Sequence, residues 1–144
     1  MKYQQAELGR VFVVKFEHGD NLHESIKEFV SREEISFATI SFLGALLKAD
    51  IVAGPKEPVI PPDPEFMSFN DGREVVGFGT IVNVSGECEM HIHSAIGKGE
   101  KTLTGCLRKN AEIFLTIEAV VQEIAGDNIT RKMDPETGFK LLDL

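Results

Sequence analysis

The sequence has few cysteines, no long hydrophobic segment and no recognisable leader. Its two cysteines, Cys88 and Cys106, form neither a CxxC pair nor a dense framework, which is typical of a reducing compartment. The longest uncharged apolar run, residues 35–47, is shorter than the roughly 18–20 residues that a membrane-spanning helix needs. Residues 1–7 lack the apolar stretch and cleavage site of a signal peptide. These absences predict a cytoplasmic protein without a membrane span.

Positive charge is also in short supply. The chain has 15 Lys and Arg against 23 Asp and Glu, a net charge of −8. A domain that neutralises DNA phosphates by itself usually carries an excess of Lys and Arg, so direct nucleic-acid binding is disfavoured. The length of 144 residues and the hydrophobic content of 42% are those of one globular domain with a core. We therefore expect a single domain over residues 1–144.

Common catalytic signatures are missing as well. The sequence has no GxSxG or HExxH motif, so nucleophilic catalysis has no support. Residues 97–102 contain Gly, Lys and Thr, but their spacing does not match a phosphate-binding loop. A hairpin turn is predicted there instead.

Proline is concentrated in one segment. Residues 54–64 contain five of the six prolines. Because proline lacks an amide N–H, this segment cannot be a helix or a central strand. It is predicted to connect two elements inside one domain.

Hydrophobic periodicity predicts one helix and a run of strands. Residues 10–16 indicate a buried strand, after which Asp20 is placed to cap a helix. The apolar stripe of that helix consists of Leu22, Ile26, Phe29 and Val30. Further strands are predicted at residues 36–42, 46–53, 66–69, 75–85, 87–96, 102–107 and 111–121, with turns at 70–72 and 97–99. The predicted fold is α+β: a mainly antiparallel mixed sheet with one principal helix packed on it, in a single domain.

The most informative strand is the one at residues 87–96. Successive side chains alternate between faces, so His91 and His93 share one face while Ile92 lies on the other. Imidazoles at i and i+2 have Cα atoms roughly 7 Å apart and can converge on one ion at ~2.0–2.1 Å from each nitrogen. Two alternatives stay open: the two histidines are polar residues on a solvated sheet face without a ligand, or they form a pH-sensitive contact between subunits.

A zinc site usually needs a third protein ligand. His23 is the best candidate, because the predicted helix could bring it toward the sheet. His18 lies in a turn and is a weaker candidate. Glu89 could be a ligand, a partner that orients an imidazole, or a general base toward metal-bound water. The sequence thus predicts a divalent transition metal, zinc being expected, at His91, His93 and His23. It leaves open whether the ion is structural or catalytic, and nothing identifies a small-molecule ligand.

Several segments in order resemble the PPC (plants and prokaryotes conserved) domain. They are His18-Gly19-Asp20-Asn21-Leu22, residues 40–46 with their Gly-Ala-Leu end, His91-Ile92-His93, Leu103-Thr104-Gly105 and Ala111-Glu112. The resemblance covers nearly the whole chain. It implies an α+β homotrimer of the stand-alone prokaryotic type, whose members are sometimes metal-containing. Self-association also agrees with the sequence, since residues 75–78 and 81–82 suggest strands that are apolar on both faces.

The sequence departs from this family in two respects. Plant members carry AT-hook segments with an Arg-Gly-Arg-Pro core, and this chain has no such core. In the Gly-His-Leu-like motif of the return strand, Thr102 takes the His position, so a third ligand must come from His23, a carboxylate or water. The main hypothesis is a small cytoplasmic, metal-binding homotrimer of undefined activity. The alternative is a non-enzymatic, DNA-associated or chromatin-type interaction module that acts through protein partners.

Overall fold

A computed structural model describes residues 1–84, 86–126 and 128–144. Within these ranges the chain forms strands and one helix. No helix in the described part of the chain is long and apolar enough to span a membrane. The elements are β1 (Glu7–Glu17), α1 (Leu22–Arg32), β2 (Phe37–Pro55), β3 (Pro64–Val84), β4 (Glu87–Lys98), β5 (Lys101–Ala125), β6 (Thr130–Met133) and β7 (Lys140–Asp143).

The main sheet has the strand order β1-β5-β2-β3-β4, and every pairing in it is antiparallel. The long strand β5 also pairs with β4 through residues 101–106, while its carboxyl-terminal part pairs with β1. These pairings close β2, β3, β4 and β5 into a ring. Strands β6 and β7 form a separate two-stranded sheet.

The prediction of an α+β fold with a mixed sheet is wrong. Of the described residues, 68% lie in strands and 8% in the helix, so the protein is mostly β. The sequence-based strands were too short: residues 37–42 of the predicted strand 36–42 and all of 46–53 fall in β2, 66–69 and 75–84 in β3, and 102–107 and 111–121 in β5. Ser85, the predicted end of one strand, lies outside the described residues. The proline-rich segment connects β2 to β3, as predicted.

The strands merge because their irregular positions are bulges and not turns. At the predicted turn near Gly72, whose φ is 65°, Leu46 pairs with Arg73 and Lys48 pairs with Asn70. Extra residues on one strand bend it without ending the pairing. Gly44, with φ of 144°, lies inside β2, and a Cβ there would overlap the carbonyl oxygen of Thr116. A glycine is therefore required for close approach of β2 to β5, where the sequence suggested a break.

The predicted helix is confirmed, but its cap is not the predicted one. The side chain of Asn21 accepts a hydrogen bond from the backbone N–H of Glu24 at 3.3 Å. Asp20 instead accepts from the backbone N–H of Glu17 at 3.0 Å, so it stabilises the turn after β1. The helix buries all four residues of its predicted stripe.

The core lies between α1 and one face of the main sheet. The helix stripe packs there with large apolar side chains from β2, β4 and β5, among them Ile40, Ile92, Ile96, Leu107, Ile113 and Ile117. Removal of such surface from water is the main stabilising contribution to folding. The opposite face of the sheet carries no helix, and it is the face on which the histidine pair lies.

Candidate metal centre

Strand β4 presents its histidines on the open face of the sheet. Ile92 and Ile96 are buried in the core, whereas His91 and His93 are exposed, so the predicted alternation is confirmed. Pairing with β3 places His91 opposite Thr80 and His93 opposite Phe78. The register therefore holds both imidazole-bearing residues in the middle of the sheet.

The two imidazoles face each other. The Nε2 atoms of His91 and His93 are 3.0 Å apart, and the ring planes meet at 74°. A contact between two ring nitrogens needs one N–H donor and one bare acceptor, so at least one ring is neutral. Burial, with the nearby charge of His93, lowers the pKa of His91. Neutral imidazole is the form that binds a metal ion.

Cys106 completes a group of three ligand-type side chains. It pairs with His93 across β4 and β5, and cross-strand partners share a face of the sheet. One ligand atom from each of His91, His93 and Cys106 lies within 4.8 Å of the other two. Burial raises the pKa of the Cys106 thiol, and the charge of Arg108 opposes this shift. A metal ion at this point would displace the thiol proton, since the thiolate is the ligand form.

The donor set suits zinc. Two imidazole nitrogens and one sulfur are ligands that zinc prefers. With bonds of ~2.0–2.1 Å to nitrogen and ~2.3 Å to sulfur, the ligand atoms of a tetrahedral zinc site lie roughly 3.3–3.7 Å apart. The two Nε2 atoms are 3.0 Å apart and all three ligand atoms lie within 4.8 Å of one another, so the group has the dimensions of such a site. Three protein ligands leave the fourth position open for water or another oxygen.

The structure does not bring His23 to this group. His23 lies on α1, on the core side of the sheet, and makes a backbone hydrogen bond with Leu107. Leu107 follows Cys106 directly and is part of the core, so the two side chains point to opposite faces. Burial lowers the pKa of His23, and its Nδ1 atom is buried without a hydrogen-bond partner in the described part of the chain.

The other two candidates also have different partners. The Nδ1 atom of His18 accepts a hydrogen bond from the backbone N–H of Leu115 at 3.2 Å. Glu89, on the same strand face as the histidines, forms an ion pair with Lys140. Neither belongs to the three-residue group.

Sequence reasoning missed Cys106, although a signal was present. The triplet Gly105-Cys106-Leu107 keeps the Gly and the Leu of a Gly-His-Leu motif and replaces only the histidine. Thr102, to which the sequence analysis assigned the histidine position, lies opposite Gly97 at the end of the β4–β5 hairpin. Only the strand register shows that Cys106 is the residue beside the histidine pair.

A cavity of about 630 Å³ lies over the three residues. The β2–β3 connection, β5 and the β6–β7 hairpin form its walls. Its charged lining residues are Glu89, Arg108, Arg131 and Lys140, and its apolar ones include Val52, Met90, Phe139 and Leu141. The ligand-type side chains thus face a half-open pocket large enough for a small molecule.

Solved structures with the same fold come from archaea and bacteria. A metal-containing protein from Archaeoglobus fulgidus is 25% identical, with a TM-score of 0.87 and 100% of both chains covered. A plant- and prokaryote-conserved (PPC) protein from Pyrococcus horikoshii is also 25% identical, with a TM-score of 0.85 and coverage of 100% of this chain and 98% of that one. A protein from Bacteroides thetaiotaomicron named for DNA binding is 18% identical, with a TM-score of 0.78 and coverage of 97% and 98%. The last likeness shows the fold alone.

The sequence comparisons agree with this fold. No curated protein matches the chain. The profile of the Plants and Prokaryotes Conserved (PCC) domain, whose name is also shortened to PPC, matches residues 3–125. That stretch runs from the residues before β1 to the end of β5 and contains all three ligand-type residues. The chain therefore belongs to the Plants and Prokaryotes Conserved domain family.

Proposed function

We propose that this protein binds a divalent transition metal ion, with zinc expected, through His91, His93 and Cys106. The observation that carries the proposal is the convergence of their ligand atoms within 4.8 Å on one face of the sheet. The likeness to a metal-containing protein over the whole chain supports it. A zinc ion with three protein ligands polarises a water or ligand oxygen in its fourth position.

The third ligand distinguishes this proposal from the set expected from the sequence. His91 and His93 are retained, and Cys106 takes the place foreseen for His23. The reason is geometric, because His23 lies on the helix-covered side of the sheet. A direct comparison of variants at the two positions decides between them.

Metal analysis of protein purified without a histidine tag tests the proposal. We expect one zinc per chain, and none in a His91→Ala/His93→Ala double variant, because a single remaining ligand cannot hold zinc tightly. Cys106→Ser should weaken zinc binding strongly. Cys88→Ser is the matched control, since Cys88 lies on the other face of the sheet, and it should keep full occupancy, as should His23→Ala. Full zinc occupancy in the double variant would overturn the proposal.

We further propose that the protein is a homotrimer in the cytoplasm. Two free thiols suit a reducing compartment. The open face of the sheet exposes a row of apolar side chains that a monomer would leave in water: Val13 is 87% exposed, Phe78 58% and Leu43 55%. Val13 pairs with Val120, Val120 with Ser41, Ser41 with Phe78, and Phe78 with His93. These cross-strand partners therefore form a row that crosses the whole sheet. Copies of this chain are the expected cover, as the family resemblance implies.

Light scattering tests the oligomer. We expect about three times the chain mass of 15.9 kDa. Phe78→Asp should shift the mass toward that of one chain. A mass of 15.9 kDa for the unaltered protein at micromolar concentration would contradict the trimer.

A DNA-associated role through protein partners is the second candidate. It is supported by structural neighbours named for DNA binding, from Bacteroides thetaiotaomicron and Ralstonia eutropha. The net charge of −8 weighs against direct contact with phosphates. A salt-titrated binding assay with duplex DNA tests for direct contact, which would be seen as affinity that falls steeply with salt; we expect none, because this candidate reaches DNA through other proteins.

A further inference from the structure

We infer that the cavity over the metal ligands binds a small organic oxyanion, a carboxylate or a phosphate ester, with Arg108 and Arg131 as its charged contacts. The inference deepens the proposed function and rests on it, because the anion would lie beside the proposed metal ligands. It is carried by the charges that line the cavity and by their lack of partners.

Three cations and one carboxylate line this cavity, in a chain whose net charge is −8. The carboxylate, Glu89, is taken by an ion pair with Lys140. Arg108 and Arg131 then remain, and neither forms an ion pair within residues 1–84, 86–126 and 128–144. Two guanidinium groups beside one cavity leave an excess of positive charge there.

The other three arginines behave differently. Arg10 pairs with Glu123 at 2.7 Å, Arg73 pairs with Asp71 at 2.7 Å, and Arg32 lies 3.9 Å from Glu33. In an acidic protein, carboxylates are available for most cations. The two arginines at the cavity are therefore the exceptions, and a bound anion is the partner that the chain itself does not supply.

Arg131 is held in place by two hydrogen bonds. Its Nη2 donates to the hydroxyl of Thr80 at 2.8 Å, and its Nη1 donates to the carbonyl oxygen of Lys140 at 3.3 Å. Its Nε is buried without a hydrogen-bond partner in the part of the chain that the structure describes. A guanidinium has five N–H donors, so the part-buried Arg131 keeps others that an oxyanion in the cavity can accept from.

The walls of the cavity define the rest of the ligand. Apolar side chains from both β2 and the β6–β7 hairpin face it, among them Val52, Phe139 and Leu141. Its volume of about 630 Å³ is that of a small-molecule site and exceeds what an inorganic ion fills. An anionic head with an apolar body fits this combination of arginines and apolar walls.

The hairpin that supplies Arg131 lies beyond the residues matched by the family profile. That match ends at residue 125, whereas β6 begins at Thr130. Arg131, Phe139, Lys140 and Leu141 all come from this carboxyl-terminal segment. The proposed metal ligands and Arg108 thus lie inside the matched domain, whereas Arg131 lies outside it.

Calorimetric titration of metal-free and zinc-loaded protein tests the inference. The probes are benzoate, phenyl phosphate and the neutral benzamide. We expect at least one of the two anions to bind and benzamide not to bind. Arg131→Gln and Arg108→Gln should each weaken anion binding at least tenfold, and Arg131→Lys should restore part of it. Arg32→Gln is the matched control, because Arg32 is exposed at the end of α1 and does not line the cavity. This variant should bind the anions as the unaltered protein does.

Each outcome separates this inference from the proposed function. Zinc binding without binding of either anion overturns the anion site and leaves the metal site standing. Anion binding by protein that takes up no zinc, lost in Arg131→Gln, supports the anion site and overturns the metal proposal. Equal binding of benzamide and benzoate, or unchanged affinity in both arginine variants with native thermal unfolding, overturns the anion site. Preference for benzoate or for phenyl phosphate identifies the headgroup.

Discussion

The two faces of strand β4 differ in both packing and chemistry. On the core face, Ile92 and Ile96 are completely buried beneath α1. On the open face, His91 and His93 lie beside Cys106 under a cavity. Residues that alternate along one strand therefore build the core on one side and the candidate metal centre on the other. A substitution on one face can be used as the control for a substitution on the other.

The faces also differ in how they are assembled. The core face depends on apolar residues that recur in local patterns along α1 and each strand. The open face depends on side chains from β4, β5 and the β6–β7 hairpin, which are distant in sequence and meet only through pairing. A two-residue slip of β5 against β4 would keep apolar side chains on the core face but would separate Cys106 from the histidine pair.

The largest expected effect comes from the core face. Ile92→Ala should lower the free energy of unfolding by about 2–5 kcal/mol, because it leaves a cavity in a fully packed region. His91→Ala in metal-free protein should change it by less than about 0.5 kcal/mol, as exposed substitutions usually do. Urea denaturation of both variants measures the difference. Equal destabilisation would show that the two faces are not separate.

Gly105→Ala should disturb the pairing of β2 with β5 next to the candidate metal centre. A Cβ at Gly105 would overlap the carbonyl oxygen of Val52, so the β2–β5 pairing beside Cys106 must shift. We expect a loss of about 1–3 kcal/mol in stability, typical of overpacking, together with weaker zinc binding. Gly97→Ala is the control, since its nearest neighbour would be the carbonyl oxygen of Lys101 at 3.7 Å. Normal zinc affinity in Gly105→Ala would mean that the site tolerates a displaced β5.

The helix cap tests the support of the core face. Asn21→Ala should cost about 0.5–2 kcal/mol, because the N–H of Glu24 loses its acceptor. The zinc content should not change, since α1 lies on the far side of the sheet from the ligands. Denaturation and metal analysis of the same sample check both expectations. Loss of zinc would show that the helix is coupled to the open face.

The smallest expected effect is the pH dependence due to His23. Burial lowers the pKa of this side chain from its ordinary value of 6.5, while Lys27 lowers it and Glu24 raises it to a lesser extent. Its depressed folded pKa means that the unfolded chain takes up the proton first as the pH falls below 6.5, so stability falls over that window and is intact above it. His23→Gln should flatten this part of the stability profile and leave zinc binding unchanged. An identical slope in the variant would contradict the burial of a neutral His23.

The sequence was a good guide to features with a short period. A pleated strand forces alternation, so the shared face of His91 and His93 followed from their spacing alone. The stripe of α1 followed in the same way from the helical repeat. The fold class did not follow, because Gly44 and Gly72 look like breaks in the sequence but lie within long strands, Gly44 at a close approach of β2 to β5 and Gly72 at a bulge in β3. The cap was displaced by one residue for a similar reason, since Asp20 is used by the preceding turn.

The sequence by itself determined the local elements: the helix, the alternating faces and a pair of imidazoles that can act together. Only the tertiary structure decided which residues join that pair. Cys106 reaches it because β5 pairs with β4 in one register, and Arg131 reaches the same cavity because the β6–β7 hairpin docks on Thr80 and Glu89. Contacts of this kind depend on pairing between segments that are distant in sequence. The hydrophobic period of any one segment does not encode that pairing.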